Sequence, residues 1–253
     1  MSTTFKNFVF LFSLTLLLFS CKKETFVITK VTAKTISVDT TLSTKENITK
    51  IIAPYKEKMI KEINTIISYT PKNLTRTDGE LESSLGNLLA DLTYKRANPI
   101  FKKLTNMDID FSMFNFGGIR AGIPVGNVTN KNAFELMPFE NMLVVVELSG
   151  QKVEELITYL IQNNTAHPLS KNIKLTITQN GYQLYVNNKK FNKNNTYFIL
   201  TSDYLQSGGD NMTFFKNPIQ RISLEYKMRA AIVDYFKSVD TLKSSLDQRF
   251  KRK

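Results

Sequence analysis

The segment IKLTITQNGYQLYV, residues 173–186, decides the fold class. Ile173 to Thr178 and Gln183 to Val186 alternate apolar and polar side chains, the two-residue period of a strand with one buried face. Asn180-Gly181 between them is a pair that accepts the backbone angles of a tight hairpin turn. A hairpin means antiparallel pairing. Hairpins interleaved with well-separated helices predict a single α+β domain with a mixed sheet and flanking helices, not a doubly wound parallel sheet.

Working outward, Met142 to Leu148 is an apolar strand, Gly150 makes a turn, and Val153, Leu156, Ile157, Leu160 and Ile161 draw an amphipathic helix stripe. Thr196 to Ser202 reads as a further strand, followed by a loop from Asp203 to Asn211. A late helix is expected from Glu225 to Phe236, with Met228, Ala231, Ile232, Tyr235 and Phe236 inward. Toward the N-terminus, Asp108 to Phe114 predicts a buried strand, with Asp108 and Asp110 on an exposed face, and Ile66 to Tyr69 another strand. Glu82 to Arg96 predicts a helix that buries Leu85, Leu88, Leu89 and Leu92. Ser43 and Glu46 fit a capping box for a helix that ends near Ile63, and Pro54 either kinks that helix or restarts it. Thr25 to Val31 suggests one short strand. No internal repeat is present.

At 253 residues and 42% hydrophobic composition the chain can bury one core and carry extensions. Its ends differ from its middle. Lys6 followed by the apolar run Phe8 to Phe19 reads as a secretion signal over residues 1–20, too short for a comfortable bilayer span. Cys21, the only cysteine, excludes an internal disulfide. Its place after Leu18-Phe19-Ser20 resembles the lipobox of bacterial lipoproteins, which implies acylation at Cys21 and a lipid-anchored location at the cell envelope. A polar tether is expected over 21–44, the domain over 45–237, and a basic C-terminal tail over 238–253.

The formal charge is +12, but only seven of the 34 basic residues are arginine and the lysines are scattered. Bidentate contacts to bases and phosphates favour arginine, so no polynucleotide partner is expected. The field can still concentrate small anions or hold the chain near anionic lipid.

Three segments combine glycine with polar or aromatic groups: Asn115 to Arg120, Met137 to Asn141, and Asp203 to Asp210. The order of Asn115-Phe116-Gly117-Gly118-Ile119-Arg120, Pro138-Phe139-Glu140-Asn141, and Asp203-Tyr204 with Gly208-Gly209-Asp210 resembles the C-terminal domain of the 5'-nucleotidase family. Ser84-Leu85-Gly86-Asn87-Leu88-Leu89-Ala90-Asp91 is similar to that domain's first helix. The resemblance runs from about residue 45 to 237. It implies that Phe139 and Tyr204 sandwich a nucleoside base, that Asn115 and Asp210 hold base and ribose, and that Arg120 faces the phosphate. Gly117, Gly118, Gly208 and Gly209 would complete the substrate-binding loops. The chain departs from the family at Phe116, often glycine, and at Tyr204, often phenylalanine. No role transfers to Arg76.

Family members hydrolyse the phosphate ester at a two-metal centre in a separate N-terminal domain, through Asp-x-His, Asn-His-Asp and Gly-His-x-His segments. None of these occurs here, and His167, in a loop with Pro168, is the only histidine. No Gly-x-Ser-x-Gly elbow or Gly-x-x-x-x-Gly-Lys loop appears either. No catalytic residue, metal ligand or cofactor is therefore expected in this chain, and the divalent metals belong to a partner. The resemblance implies a nucleotide-recognition subunit of a split 5'-nucleotidase, active in nucleotide catabolism with a separately encoded metallophosphatase. The alternative is a lipid-anchored nucleoside-binding protein with no hydrolase role.

Overall fold

The computed structural model describes residues 3, 5–7, 9–10 and 26–253. Cys21 and most of the expected signal segment lie outside the described residues. No helix of the described residues is long and apolar enough to cross a membrane.

The chain divides into two compact units, residues 1–50 and 51–253. In the first, every described residue is exposed, and residues 26–31 form no strand, contrary to the expectation at Thr25 to Val31. The Asp39 carboxylate accepts from the Thr41 amide at 2.9 Å and hydroxyl at 2.6 Å, closing a local turn. Helix α1 (Glu46–Ile63) begins at Glu46, so Ser43 does not cap it. Pro54 neither ends nor restarts this helix, and none of its residues is buried.

The second unit contains three sheets. Strands β1 (Ile66–Thr70) and β3 (Gly126–Thr129) form an antiparallel ribbon. The central sheet has β2 (Phe111–Ser112), β8 (Thr196–Ser202), β4 (Met142–Ser149) and β9 (Gln220–Lys227) in that order. The third has β10 (Phe250–Arg252), β5 (Ile173–Thr178), β6 (Gly181–Val186) and β7 (Lys189–Lys190). The expected hairpin is β5 and β6, in register from Ile173 opposite Val186 to Thr178 opposite Gly181. Each four-stranded sheet contains one parallel pair, β2 with β8 and β10 with β5, among antiparallel ones. The domain is α+β with mixed sheets.

Interior position explains the composition of β4: it pairs on both edges, and Leu143, Val144, Val145 and Val146 are all fully buried. Helix α4 (Gly150–Asn163) follows at once, capped by the Ser149 hydroxyl, and buries Val153, Leu156, Ile157 and Leu160, with Ile161 half-buried. Gly150 is required there, because any Cβ would stand 2.2 Å from the Lys193 carbonyl oxygen. Helix α2 (Ser84–Thr105) starts at its Ser83 cap and runs nine residues past the expected end at Arg96. It carries Pro99 inside, and the buried Ala97 and Phe101 prolong its apolar face. The short helix α3 (Asn130–Leu136) has a box in which Thr129 and Asn132 cap each other.

Two expectations are corrected. The late helix α6 (Met228–Lys237) starts three residues after Glu225, because Glu225 to Lys227 belong to β9, which pairs with β4 through an irregular step. Residues 238–253 are not a solvated tail. Leu242 and Phe250 are buried, and β10 adds a parallel edge strand to β5. The Glu82 carboxylate accepts from the Asp247 and Gln248 amides at 3.2 and 2.6 Å. Arg249, 4% exposed, donates two bonds to Asp91, two to Asp247 and one to the Leu169 carbonyl. Burial alone would raise the Asp247 carboxyl, but the Arg249 hydrogen bonds outweigh it and hold that group below the usual range.

Strand order also sets up the cavity. Strand β2 runs parallel to β8, and β4 runs antiparallel to β8 on its other side. The chain leaving β2, the chain entering β4 and the chain leaving β8 therefore emerge at the same end of the sheet. Those three stretches carry Asn115 to Arg120, Met137 to Asn141, and Asp203 to Asp210.

Candidate functional site

The three segments enclose a cavity of 270 Å³, lined by Asn115, Gly117, Gly118, Arg120, Phe139, Asn141, Tyr204 and Asp210. Seven of these eight are residues singled out from the sequence. Gly208 and Gly209 do not line it but shape the loop that does.

The stretch after β2 is a single 3-10 turn, Phe116–Gly118, with extended backbone at Asn115. Two groups hold it from outside the cavity. Arg76 donates to the Ile119 carbonyl at 2.6 Å and the Phe116 carbonyl at 3.2 Å, and its guanidinium lies 4.4 Å from the centre of the Phe116 ring. His167 Nδ1 accepts from the Phe116 amide at 3.2 Å. Burial pushes His167 down to about 4, partly offset by the Asp210 carboxylate, so the ring is neutral at pH 7 and free to accept. His167 is thus a buried support of this loop, not an incidental loop residue. Gly118 matters for space: a Cβ would stand 2.7 Å from Asn115 Oδ1 and displace the side chain that reaches into the cavity.

The stretch after β8 begins with helix α5 (Asp203–Gln206), whose Ser202 hydroxyl caps its first turn. Tyr204 then folds back over Gly209, where any Cβ would come within 2.4 Å of the ring. The ring therefore rests on bare backbone, and its hydroxyl donates to Asp210 Oδ1 at 2.9 Å. Asn115 Nδ2 donates to Asp210 Oδ2 at 2.6 Å, and the Tyr159 hydroxyl of α4 donates to the Asp210 carbonyl at 2.9 Å. Asp210 itself has φ 51° and ψ 30°, a left-handed conformation that aspartate tolerates better than most residues. Asn115 and Tyr204 thus fix the Asp210 carboxylate at the cavity wall, and Tyr159 holds its left-handed backbone. The bond to Asp210 raises the Tyr204 hydroxyl above its ordinary range; burial, then the nearby Asp210, does the same at Tyr159.

Phe139 and Tyr204 are 40% and 44% exposed, and both line the cavity. Arg120 is exposed, with one long contact to the Gly117 carbonyl at 3.4 Å and its guanidinium 5.8 Å from the Phe139 ring centre. The cavity therefore offers two aromatic faces, a fixed carboxylate with lone pairs to spare, a side-chain amide and an uncompensated guanidinium. That combination suits a small ligand with a flat ring, hydroxyl groups and an anionic end. Asn141, Tyr159, His167 and Arg76 are supporting or lining residues that the sequence did not single out for a role. Of these only Asn141 stood within a recognised segment.

Among the described residues no group of three or more His, Cys, Asp or Glu could hold a metal ion. The sole histidine already has Nδ1 engaged and is buried, so the residues present do not fit the two-metal centre that the sequence resemblance implies elsewhere in the family.

Comparison with known proteins bears on the family and the fold. The family described as "5'-nucleotidase, C-terminal domain" matches residues 62–217. The chain is 31% identical over 149 residues to a trifunctional nucleotide phosphoesterase of Bacillus subtilis, covering 53% of this chain and 10% of that protein. It is 25% identical over 171 residues to a 5'-nucleotidase of Vibrio vulnificus, covering 64% and 29% respectively. The 5'-nucleotidase precursor of Thermus thermophilus superposes with a TM-score of 0.65 at 19% identity, covering 80% of this chain and 42% of that one. The chain thus spans under a third of these curated relatives and under half of the solved structure.

Proposed function

The chain belongs to the 5'-nucleotidase C-terminal domain family, and from that premise we propose that its cavity binds the nucleoside part of a nucleotide. The observation that carries this reading is the Asp210 carboxylate, bracketed by Asn115 and Tyr204 in the same cavity as the exposed Phe139 ring. Each part has a physical task. Phe139 and Tyr204 stack on the base, which contributes about 1–3 kcal/mol per base and tolerates different bases. Asp210 accepts from ribose hydroxyls, Asn115 holds it in place and adds a polar contact, and Arg120 attracts the phosphate through its fork of donors. Gly117 and Gly118 let the backbone approach the ligand closely.

We further propose that the protein is the recognition subunit of a split 5'-nucleotidase, anchored at the cell envelope through Cys21, with hydrolysis performed by a separate metallophosphatase. The support is the sequence: three binding segments are present, and a single histidine cannot assemble a histidine-rich dinuclear site.

Calorimetric titration of adenosine and AMP into the wild type, Phe139→Ala and Tyr204→Ala tests the binding claim. Binding by the wild type, weakened by about 1–3 kcal/mol in each variant, is expected. Unchanged affinity in a folded Phe139→Ala or Tyr204→Ala variant would remove the ring sandwich. For the subunit claim, stoichiometric co-purification with a metallophosphatase is expected, whereas AMP hydrolysis by the purified chain with manganese would overturn it. Absence of a co-purifying metallophosphatase, with adenosine binding intact, would favour the alternative of a nucleoside-binding protein.

A further inference from the structure

The proposed stacking ring sits on a loop with no regular structure of its own, residues 137–141 between α3 and β4. A ring that contributes stacking energy has to be held before the ligand arrives, or the cost of ordering the loop is taken from the affinity. Most of the bonds that hold the loop from beneath come from one side chain. Arg229, in the first turn of α6, donates through Nη1 to the Pro138 carbonyl at 2.9 Å and to those of Met137 and Phe139 at 3.4 Å each. Its Nη2 pairs with the Glu140 carboxylate, which also receives Lys227 Nζ at 2.5 Å. The guanidinium plane lies 4.5 Å from the centre of the Phe134 ring on α3. The Met228 amide adds a bond to the Asn141 carbonyl at 2.9 Å.

We infer that Arg229 is the positioning residue of the ligand cavity: its guanidinium sets the Phe139 loop in the orientation that presents the ring for stacking. The inference rests on the reading of Phe139 as a base-stacking ring. Arg229 lines none of the cavity, and its side chain is only 16% exposed, so it acts through the loop and not on the ligand. The chemistry requires arginine. A planar fork can serve several carbonyls and a carboxylate at once while its face lies on Phe134. A lysine keeps the charge and the Glu140 pair but supplies a single ammonium point, so it cannot hold successive carbonyls of the loop in one arrangement.

Arg229→Lys is the test, in the wild-type and Phe139→Ala backgrounds, with two readouts on the folded protein. The first is the order of the loop without ligand, read as the NMR order parameters of the Phe139, Glu140 and Asn141 amides, expected to fall from the range of rigid backbone, about 0.85, to below about 0.6 in Arg229→Lys while α2 and β4 keep theirs. The second is adenosine affinity, expected to fall roughly five- to tenfold in the wild-type background and by less than twofold where Phe139 is already alanine. A merely structural arginine would lower affinity equally in both backgrounds, and that result overturns the inference. Unchanged order parameters over 139–141 overturn it as well, whatever the ligand data. A more mobile loop in a protein whose wild type binds no adenosine supports the holding of the loop and removes the nucleoside reading instead.

Discussion

Two arginines in this molecule have opposite surroundings. Arg249 is 4% exposed and spends its donors on two carboxylates and a carbonyl, tying the last strand to α2. Arg120 is exposed at the cavity mouth, with one 3.4 Å contact to a carbonyl and no carboxylate partner among the described residues. The same chemical group thus completes the fold in one place and stands uncompensated in the other. Saturated charge marks structure, and unsaturated charge facing a cavity marks capacity for a ligand. The carboxylates divide in the same way: Asp91 and Asp247 are paired with Arg249, whereas Asp210 is held only by neutral donors and keeps its charge available.

The largest expected effect tests the structural side. Arg249→Met should destabilise the protein by about 3–4 kcal/mol in urea at pH 7, because it leaves two carboxylates without the guanidinium that both bond. Partial hydration of Asp91 and Asp247 keeps the loss in the lower part of the range for broken buried pairs. Adenosine affinity of the folded protein should be unchanged. A loss of affinity that parallels the loss of stability would break the division between the two regions.

His167 lies between them, buried yet bonded to the cavity loop, and pH reads out its contribution. Its folded pKa of about 4 lies below the unfolded 6.5, so the unfolded chain binds the proton first as pH falls. Stability should therefore decline from pH 6.5 downward and lose on the order of 3 kcal/mol from this group by pH 4, with no further loss below. Protonation at Nδ1 also removes the acceptor for the Phe116 amide. Urea titrations at several pH values should show that slope in the wild type and a shallower one in His167→Gln. Equal slopes would assign the acid sensitivity elsewhere.

Arg120→Gln tests the other side of the comparison. AMP affinity should fall about tenfold, near 1.4 kcal/mol, while adenosine affinity holds and stability stays within about 0.5 kcal/mol. Equal losses for AMP and adenosine would place Arg120 on the base or sugar instead of the phosphate.

How far the sequence revealed these features follows from how local their causes are. The β5–β6 hairpin was legible because Asn180-Gly181 and its flanking alternation are adjacent in the chain. The cavity was legible because its glycines and rings fall in short segments, three of which the strand order collects at one end of the sheet. The C-terminal clasp was not legible. A run such as Arg249 to Lys253 looks solvated, and the carboxylate that internalises Arg249 stands 158 positions away. Arg229, His167 and Tyr159 were missed for the same reason, since each acts on a distant loop through a single contact surface. Pro54 and Pro99 show the limit of local rules in the other direction, because both sit inside continuous helices.

The smallest expected effect comes from the chain's other end, the threonine-rich stretch of residues 26–44. Every one of them is exposed, and the Asp39 bonds are local, its carboxylate accepting from Thr41 and its carbonyl from the Leu42 amide. Beginning the chain at Lys45 should change the melting temperature by less than a degree or two, equivalent to about 0.5 kcal/mol, and leave adenosine affinity unaltered. The contrast with the C-terminus is then complete: charged side chains at both ends, with stability residing where the buried Arg249 meets Asp91 and Asp247. A shift of several degrees would mean that residues 26–44 find partners on the domain, and the paired-versus-free distinction would have to be redrawn to include them.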